Sequence, residues 1–466
     1  MKTFYSFSIE YVIMFDFFGC ERIHFLGIGG VSTSLLARYL FSCGVKVTGT
    51  DKQMSAVLTA LSEAGIPVWT GFLPEKTGKP SAVVYSSAIP PSDPELSYLR
   101  SCGVPSFERF DLLGAVSEKF LYRICIAGTH GKTTTTAMIS KVLSDSGKKL
   151  FSHVGGNCPD LGEFLYTGND YFVCEACEYR KSFLSLRPDI AVVLNAEMDH
   201  PDTYRDLTEV YDTFDLYLQN ARKNSVSVLC GDDKYYENRQ AFNRPVTFGT
   251  GRNCAFRITN ERETGGRYGC DIEYRGKSLY SFDLSVIGRY NLYNAAACAA
   301  VCAILKIDPL VVNRSLSLFG GVKRRFEYKG LYLGAEVYSD YAHHPTEIAA
   351  CLVAGRKIQK EGKLWAVFQP HTFSRTKALA EDFCSALKNC DGLILLKEYG
   401  ARETEKNGMS GKRLFDLLRN EEKYYCDSII DVAALLTEKT APNDIIIVLG
   451  AGNIDVLCDL LVPPTI

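Results

Sequence analysis

The ten residues Ala127-Gly-Thr-His-Gly-Lys-Thr-Thr-Thr-Thr136 limit what this chain can fold into more than any other stretch. They stand between an apolar, strand-like run, Tyr122-Arg-Ile-Cys-Ile126, and a helix-like run, Ala137-Met-Ile-Ser-Lys-Val-Leu143. Gly128 and Gly131 let the backbone bend tightly and aim N–H groups at phosphate oxygens. Lys132 places a point charge on the outer phosphates, and Thr133 offers a hydroxyl to a magnesium ion. Strand, glycines, lysine and threonines fall in the order that a nucleoside triphosphate site requires. The common P-loop spacing would put glycine at Ile126, so this is a shortened form, Gly-x-x-Gly-Lys-Thr.

At 466 residues the chain has room for about three domains. Its 46% hydrophobic and 23% charged content supports globular cores. A formal net charge of −2 gives no reason to expect nucleic-acid or membrane-surface binding. The 17 cysteines form no regular framework and read as reduced thiols of a cytoplasmic protein. Cys174 and Cys177 lack a second pair at zinc-finger spacing and read as strand residues. No apolar run approaches membrane-spanning length, so no membrane insertion is expected. Glu10 and Asp16 interrupt the aromatic-rich N-terminus, which argues against an export signal. Met14 offers an alternative start, with residues 1–13 as an upstream extension.

Three segments each open with a strand and a polar or glycine turn, which predicts an α/β chain of three domains: 1–120, 121–325 and 326–466. The first holds Arg22-Ile-His-Phe-Leu-Gly-Ile-Gly-Gly30, a helix pattern from Leu35 to Leu40, and a strand ending at Asp51. This is a Rossmann-like βαβ unit, with Gly27, Gly29 and Gly30 in a phosphate-binding turn and Ser32 at the third glycine position. The central segment carries the triphosphate loop, strands Tyr171–Glu175 and Ile190–Asn195, and an alanine-rich helix over Tyr290–Leu305. The third, Rossmann-like again, has strands around Leu364–Phe368, Gly392–Leu396 and Asp444–Leu449. Alternation of strands with helices predicts parallel sheets in each domain.

Five of the seven histidines, His130, His200, His343, His344 and His371, lie in short polar turns near predicted strand ends. Active sites of open sheets collect there. Glu175 closes a strand beside the phosphate loop and suits magnesium, although a solvated strand end is the plain alternative. His200 reads equally as a metal ligand or a phosphate donor. Lys323-Arg-Arg-Phe326 sets two guanidinium groups at a domain junction, as a phosphate clamp or a basic linker. Pro345 marks a helix start next to His343 and His344. Arg375, in Ser374-Arg-Thr376, has the fork geometry for a substrate carboxylate.

Taken together, these motifs resemble the Mur ligases of bacterial cell-wall synthesis. Gly128-Thr-His-Gly-Lys-Thr-Thr134 carries the wider resemblance. Asp340-Tyr-Ala-His-His-Pro-Thr-Glu347, Lys323-Arg-Arg-Phe326, Phe368-Gln-Pro-His371 and Ser374-Arg-Thr376 narrow it to the alanine-adding branch, and Glu175-Ala-Cys-Glu-Tyr179 is similar to its Gram-positive form. The resemblance implies a UDP-sugar domain, a central ATPase domain and a C-terminal amino-acid domain. It also implies ATP-driven amide formation between L-alanine and the lactyl carboxylate of UDP-N-acetylmuramate. Gly128, Thr129, His130, Gly131, Lys132, Thr133, Thr134, Asn291, Asn294, Arg325 and Asp340 then match the ATP site. Thr133, Glu175 and His200 match ligands of Mg²⁺ (or Mn²⁺). Gly27, Gly29, Gly30, Ser32 and Asp51 match the UDP-sugar site. Tyr341, His343, His371 and Arg375 match the surroundings of the incoming alanine, with Lys132, His343 and Arg375 as catalytic candidates. Ser32, Thr33, Ser339, Thr372 and Asn453 depart from the family pattern. Three alternatives stay open: a ligase for a recycled tripeptide, an NAD-dependent oxidoreductase built on Gly27–Asp51, and a non-catalytic nucleotide-binding paralogue. Monomer and homodimer are both compatible with the sequence.

Overall fold

A computed structural model describes residues 15–237, 245–401, 403 and 408–463; the candidate start at Met14 and the extension 1–13 lie outside them. Three sheets follow one another along the chain. The first joins β1 (Arg22–Leu26), β2 (Lys46–Asp51), β3 (Val68–Thr70), β4 (Ala82–Tyr85) and β5 (Ser106–Glu108) in the order β3-β2-β1-β4-β5. All of its neighbours are parallel.

The central sheet contains β6 (Tyr122–Ala127), β7 (Leu150–His153), β8 (Tyr171–Glu175), β9 (Ile190–Val193), β10 (Val226–Cys230), β11 (Val246–Gly249), β12 (Phe256–Thr264), β13 (Arg267–Tyr274) and β14 (Lys277–Ile287). Its order is β14-β13-β12-β11-β10-β9-β6-β8-β7. The third sheet runs β15-β16-β20-β17-β18-β19. Its strands are β15 (Glu327–Tyr332), β16 (Ala335–Asp340), β17 (Leu364–Phe368), β18 (Gly392–Leu396), β19 (Glu422–Cys426) and β20 (Ile445–Leu449). The innermost strands β17, β18 and β20 are buried along their whole length. Helices cover both faces there, so these strands read as unbroken apolar runs.

The expectation of parallel sheets throughout needs correction at two edges. β12, β13 and β14 form an antiparallel meander, and β15 pairs antiparallel with β16. The cause is local turn chemistry. Gly265-Gly266, Arg275-Gly276 and Leu333-Gly334 all have positive φ at both residues, the conformation that closes two-residue hairpins with the twist of the flanking strands.

The first two domains share one apolar cluster. Tyr39, on the helix Val31–Ser42, is fully buried and stacks on Phe151 of β7 with ring centroids 4.8 Å apart. That packing fixes the N-terminal helix against the central sheet, and it sets the start of that helix over the end of β7. The third domain has its own two cores, one on each face of its sheet.

Candidate active site

The phosphate-type loop leaves the end of β6, as the strand-then-helix pattern predicts. Gly128 has φ 142° and Gly131 φ 85°, and the helix Lys132–Asp145 begins directly after Gly131. A side chain at Gly131 would drive its Cβ into the Asn294 carboxamide. The first turn of this helix presents unsatisfied backbone N–H groups, a natural seat for an anion. Strand pairing places its neighbours: Ile126 lies opposite Glu175, and Ala127 opposite Val193. Asn195 straps the loop from that side. Its Oδ1 accepts from the His130 N–H at 2.8 Å, and its Nδ2 donates to the His130 carbonyl at 3.1 Å.

Lys132 packs, half-buried, against a residue that the sequence reading did not single out. Its Nζ donates to both carboxylate oxygens of Glu178, at 3.0 and 2.9 Å, and to the Gly128 and Thr129 carbonyls. Burial alone would lower the lysine pKa, but Glu178 more than offsets it and raises it. The ammonium is therefore held charged, as a phosphate clamp must be.

Thr133 and Glu175 meet as expected, with Thr133 Oγ1 donating to Glu175 Oε2 at 3.0 Å. A hydroxyl and a carboxylate beside a phosphate loop are hard oxygen donors that fit magnesium. His200 stands apart from Glu175. Its Nε2 is 3.8 Å from Glu178 and 3.6 Å from Asp199. The expected metal residues therefore fall into two neighbouring groups, with Glu178 between Lys132 and His200.

A cavity of about 350 Å³ opens next to the loop, between the central and C-terminal domains. Gly131, Thr134, Asn291, Asn294, Arg325 and Asp340 all line it. Asn294 accepts from Thr135 at 3.2 Å and donates to Asn291 at 3.0 Å, which ties the alanine-rich helix to the loop helix. Asp340 ends β16, and its carboxylate accepts from the Phe326 and Ala342 amides, both at 2.7 Å. Burial pushes its pKa up to about 6, against the pull of Arg325. Arg325 lies over the Tyr341 ring at 5.1 Å, and Arg324 over the same ring at 4.9 Å.

Three of the polar turns converge on the seam between these domains. His130 Nδ1 is 3.0 Å from Glu347, and Nε2 is 3.5 Å from Glu197. Burial opposes protonation of His130, but Glu347 and Glu197 outweigh it and lift its pKa to about 9. Thr346 donates to Glu197 at 2.7 Å, and His344 Nε2 lies 3.1 Å from the Met198 carbonyl. His130, Glu197 and His344 bring ligand atoms within 4.8 Å of one another. The His130–Glu347 ion pair joins the central and C-terminal domains and acts as a charged latch between them.

Arg375 is 4% exposed and donates through Nε to Asp199 at 2.8 Å. Its other nitrogens lie 3.2 Å from His371 Nδ1 and 3.4 Å from His200 Nδ1. In this arrangement the fork spans the domain seam, a role that the sequence reading did not foresee. His343 sits beside it, with Nδ1 2.9 Å from the Tyr341 carbonyl and its ring 5.9 Å from that of His371. Burial, then the charge of Arg375, lower the His343 pKa to about 3.

The glycine turn of the first domain lies at the end of β1, where the Gly29 N–H donates to Asp51 at 2.8 Å. A separate cavity of about 570 Å³, lined by Gly27, Gly29, Gly30 and Asp51, opens in front of it. Ser32 points elsewhere, toward His153 at 2.8 Å and Arg109 at 2.8 Å. Three of the other departures are accommodated. Thr33 Oγ1 closes the turn by donating to the Gly27 carbonyl, Thr372 caps the helix that carries Arg375, and Asn453 accepts from Gln369.

Every part of this site lies at the C-terminal edge of its sheet, where open α/β sheets bind ligands. Phosphate loop, carboxylate–hydroxyl pair and interdomain cavity together define an α/β protein of three domains with a site of the nucleoside-triphosphate type. The chain matches the Mur ligase family catalytic domain over residues 22–121, the Mur ligase middle domain over 126–302, and the Mur ligase glutamate ligase domain over 324–452. It belongs to the Mur ligase family. Within it, the chain is 33% identical to a UDP-N-acetylmuramate–L-alanine ligase of Alkaliphilus metalliredigens, over 95% of this chain and 97% of the relative. It is 36% identical to that of Agathobacter rectalis, over 94% and 97%. The crystal structure of the UDP-N-acetylmuramate–alanine ligase of Thermotoga maritima superposes with a TM-score of 0.80 at 26% identity, covering 95% and 98% of the two chains. A murein peptide ligase from Psychrobacter arcticus shares the fold, with a TM-score of 0.73 at 21% identity over 95% and 98%.

Proposed function

We propose that this chain joins L-alanine to the lactyl carboxylate of UDP-N-acetylmuramate, splitting ATP to ADP and phosphate, as a step of peptidoglycan synthesis. One observation carries the reading. The Lys132 loop, Asn291 and Asn294 from the central domain meet Arg325 and Asp340 from the C-terminal domain around one cavity. The relatives' shared activity supports the choice of substrates.

A carboxylate is a poor acceptor because its leaving group would be oxide. Transfer of the ATP γ-phosphoryl group to the lactyl oxygen gives an acyl phosphate and ADP. Attack by the neutral amine of L-alanine then forms the amide and releases phosphate. Lys132 exchanges its contact with Glu178 for phosphate oxygens and steadies the transferring charge. Arg325 approaches the same phosphates from the other domain as it closes, while Asn291 and Asn294 hold the adenine. Thr133 and Glu175 would hold Mg²⁺, flanked by His200 and Glu178, and such an ion supplies charge neutralisation at the phosphates. Tyr341, His343, His371 and Arg375 surround the amino acid. A histidine with a pKa of about 3 is too weak a base to deprotonate an ammonium group, so His343 acts here by orienting its neighbours.

Hydroxylamine trapping tests the pathway. The protein with ATP, Mg²⁺, UDP-N-acetylmuramate and hydroxylamine, but no amino acid, is expected to accumulate the muramoyl hydroxamate. ATP turnover with alanine but no hydroxamate without it contradicts the acyl phosphate.

A further inference from the structure

A line of polar groups runs between the two phosphate-type loops, with His153 buried at its centre and Arg109 half-buried beside it. Arg109 begins the helix Arg109–Ser117, beneath the seam between the first two domains. Its Nη1 donates to Ser32 Oγ at 2.8 Å. Among the described residues it makes no ion pair. Burial disfavours its charge, and the largest partial compensation comes from Cys177, Glu108 and Glu175 acting at a distance. Ser32 Oγ also lies 2.8 Å from His153 Nε2. His153 is 3% exposed, and its Nδ1 has no hydrogen-bond partner among the described residues. Two residues further on, the Gly155 N–H donates to Glu175, which binds Thr133 of the triphosphate loop.

The position of this line matters as much as its chemistry. Ser32 follows the glycine turn Gly27–Gly30, and Glu175 faces the triphosphate loop. On the ligase reading, a nucleotide sugar lying across the seam would set its diphosphate at the first loop, where the Gly27–Asp51 cavity opens, and its reacting carboxylate toward the second. A half-buried guanidinium that makes no ion pair among the described residues favours an anion beside it, and carboxylate matches its fork.

We infer that Arg109, with Ser32 and His153, binds the lactyl carboxylate of the UDP-sugar and holds it toward the triphosphate loop. This rests on the ligase reading above. Ser32 and His153 keep the guanidinium oriented, and the neutral imidazole adds a hydrogen bond without a competing charge. Burial, then the charge of Arg109, lower the His153 pKa to about 3, so the ring stays neutral.

Calorimetric titration of wild type, Arg109→Ala and Arg109→Lys with UDP-N-acetylmuramate tests the assignment, with ATP titrated in parallel as a check on folding. UDP-N-acetylglucosamine, which keeps the diphosphate but lacks the carboxylate, serves as a competitor. Loss of a charge-assisted hydrogen bond is expected to weaken UDP-N-acetylmuramate by about tenfold to a hundredfold in Arg109→Ala, with ATP affinity kept within about twofold. Arg109→Lys keeps the charge but loses the fork, and falls between. The competitor's affinity is expected to stay level in all three. Should Arg109→Ala fail to fold, Arg109→Lys decides by the same comparison. Undiminished binding of UDP-N-acetylmuramate, or equal losses for both nucleotide sugars, overturns the inference and leaves the ligase reading standing. A wild-type protein that binds no UDP-N-acetylmuramate overturns the ligase reading itself.

Discussion

Arg375 Nε lies 2.8 Å from the Asp199 carboxylate, and both residues are almost wholly buried, at 4% and 6% exposure. Asp199 belongs to the turn after β9 and Arg375 to the helix after β17, so this ion pair links the central and C-terminal domains. Burial would raise the Asp199 pKa, but His200 and Arg375 hold it well below the usual carboxylate range. Removing either partner strands a buried charge. Asp199→Ala and Arg375→Ala are each expected to cost about 3–5 kcal/mol. The double variant should lose clearly less than their sum. Urea unfolding of the full cycle measures this, and strictly additive losses would show that the pair is not coupled.

His130 makes the latch pH-dependent, and the sign follows from its shift. Its folded pKa of about 9 stands above the ordinary 6.5. The stability it contributes is therefore fully present below about 6.5 and lost as pH rises through about 9. Glu197, lowered to about 2 from 4.5, contributes above about 4.5 and loses its share as pH falls through about 2. The melting-temperature gap between wild type and His130→Gln should be widest between these limits and shrink toward pH 9. A gap that grows on the alkaline side contradicts the latch.

Lys132→Ala should lose roughly 3 kcal/mol or more of transition-state stabilisation, as expected for one preorganised electrostatic donor. The readout is kcat/KM for ATP. Turnover close to wild type removes the phosphate-loop assignment.

Glu175 and Glu178 are separable. Glu175→Gln weakens an oxygen donor beside Thr133, so its activity should require markedly more Mg²⁺. Glu178→Gln frees Lys132 from a carboxylate, and its main effect should fall on KM for ATP. Magnesium titrations of both variants at fixed substrate distinguish the two. An identical Mg²⁺ dependence for both refutes the division of roles.

Much of this site is legible in the chain itself, for a physical reason. The loop at Gly128–Thr134, the turn at Gly27–Gly30 and the helix start at Pro345 depend on local backbone chemistry. Short motifs encode that chemistry. The antiparallel edges were equally local, because Gly265-Gly266 and Leu333-Gly334 are hairpin signals, yet the helix–strand alternation elsewhere overshadowed them. Partnerships between residues far apart in the sequence could not be read. His130 meets Glu347 across 217 positions, and Lys132 meets Glu178 across 46. Only the fold decides which acids face those cations. Arg109 and His153 carry no motif of their own and become visible only through what lies around them.

Phosphate release from ATP, with Mg²⁺ and UDP-N-acetylmuramate present and each amino acid added in turn, tests the central claim most directly. The account predicts release that depends on both the nucleotide sugar and L-alanine. Release only with a tripeptide acceptor, or ATP binding without release under any combination, contradicts it.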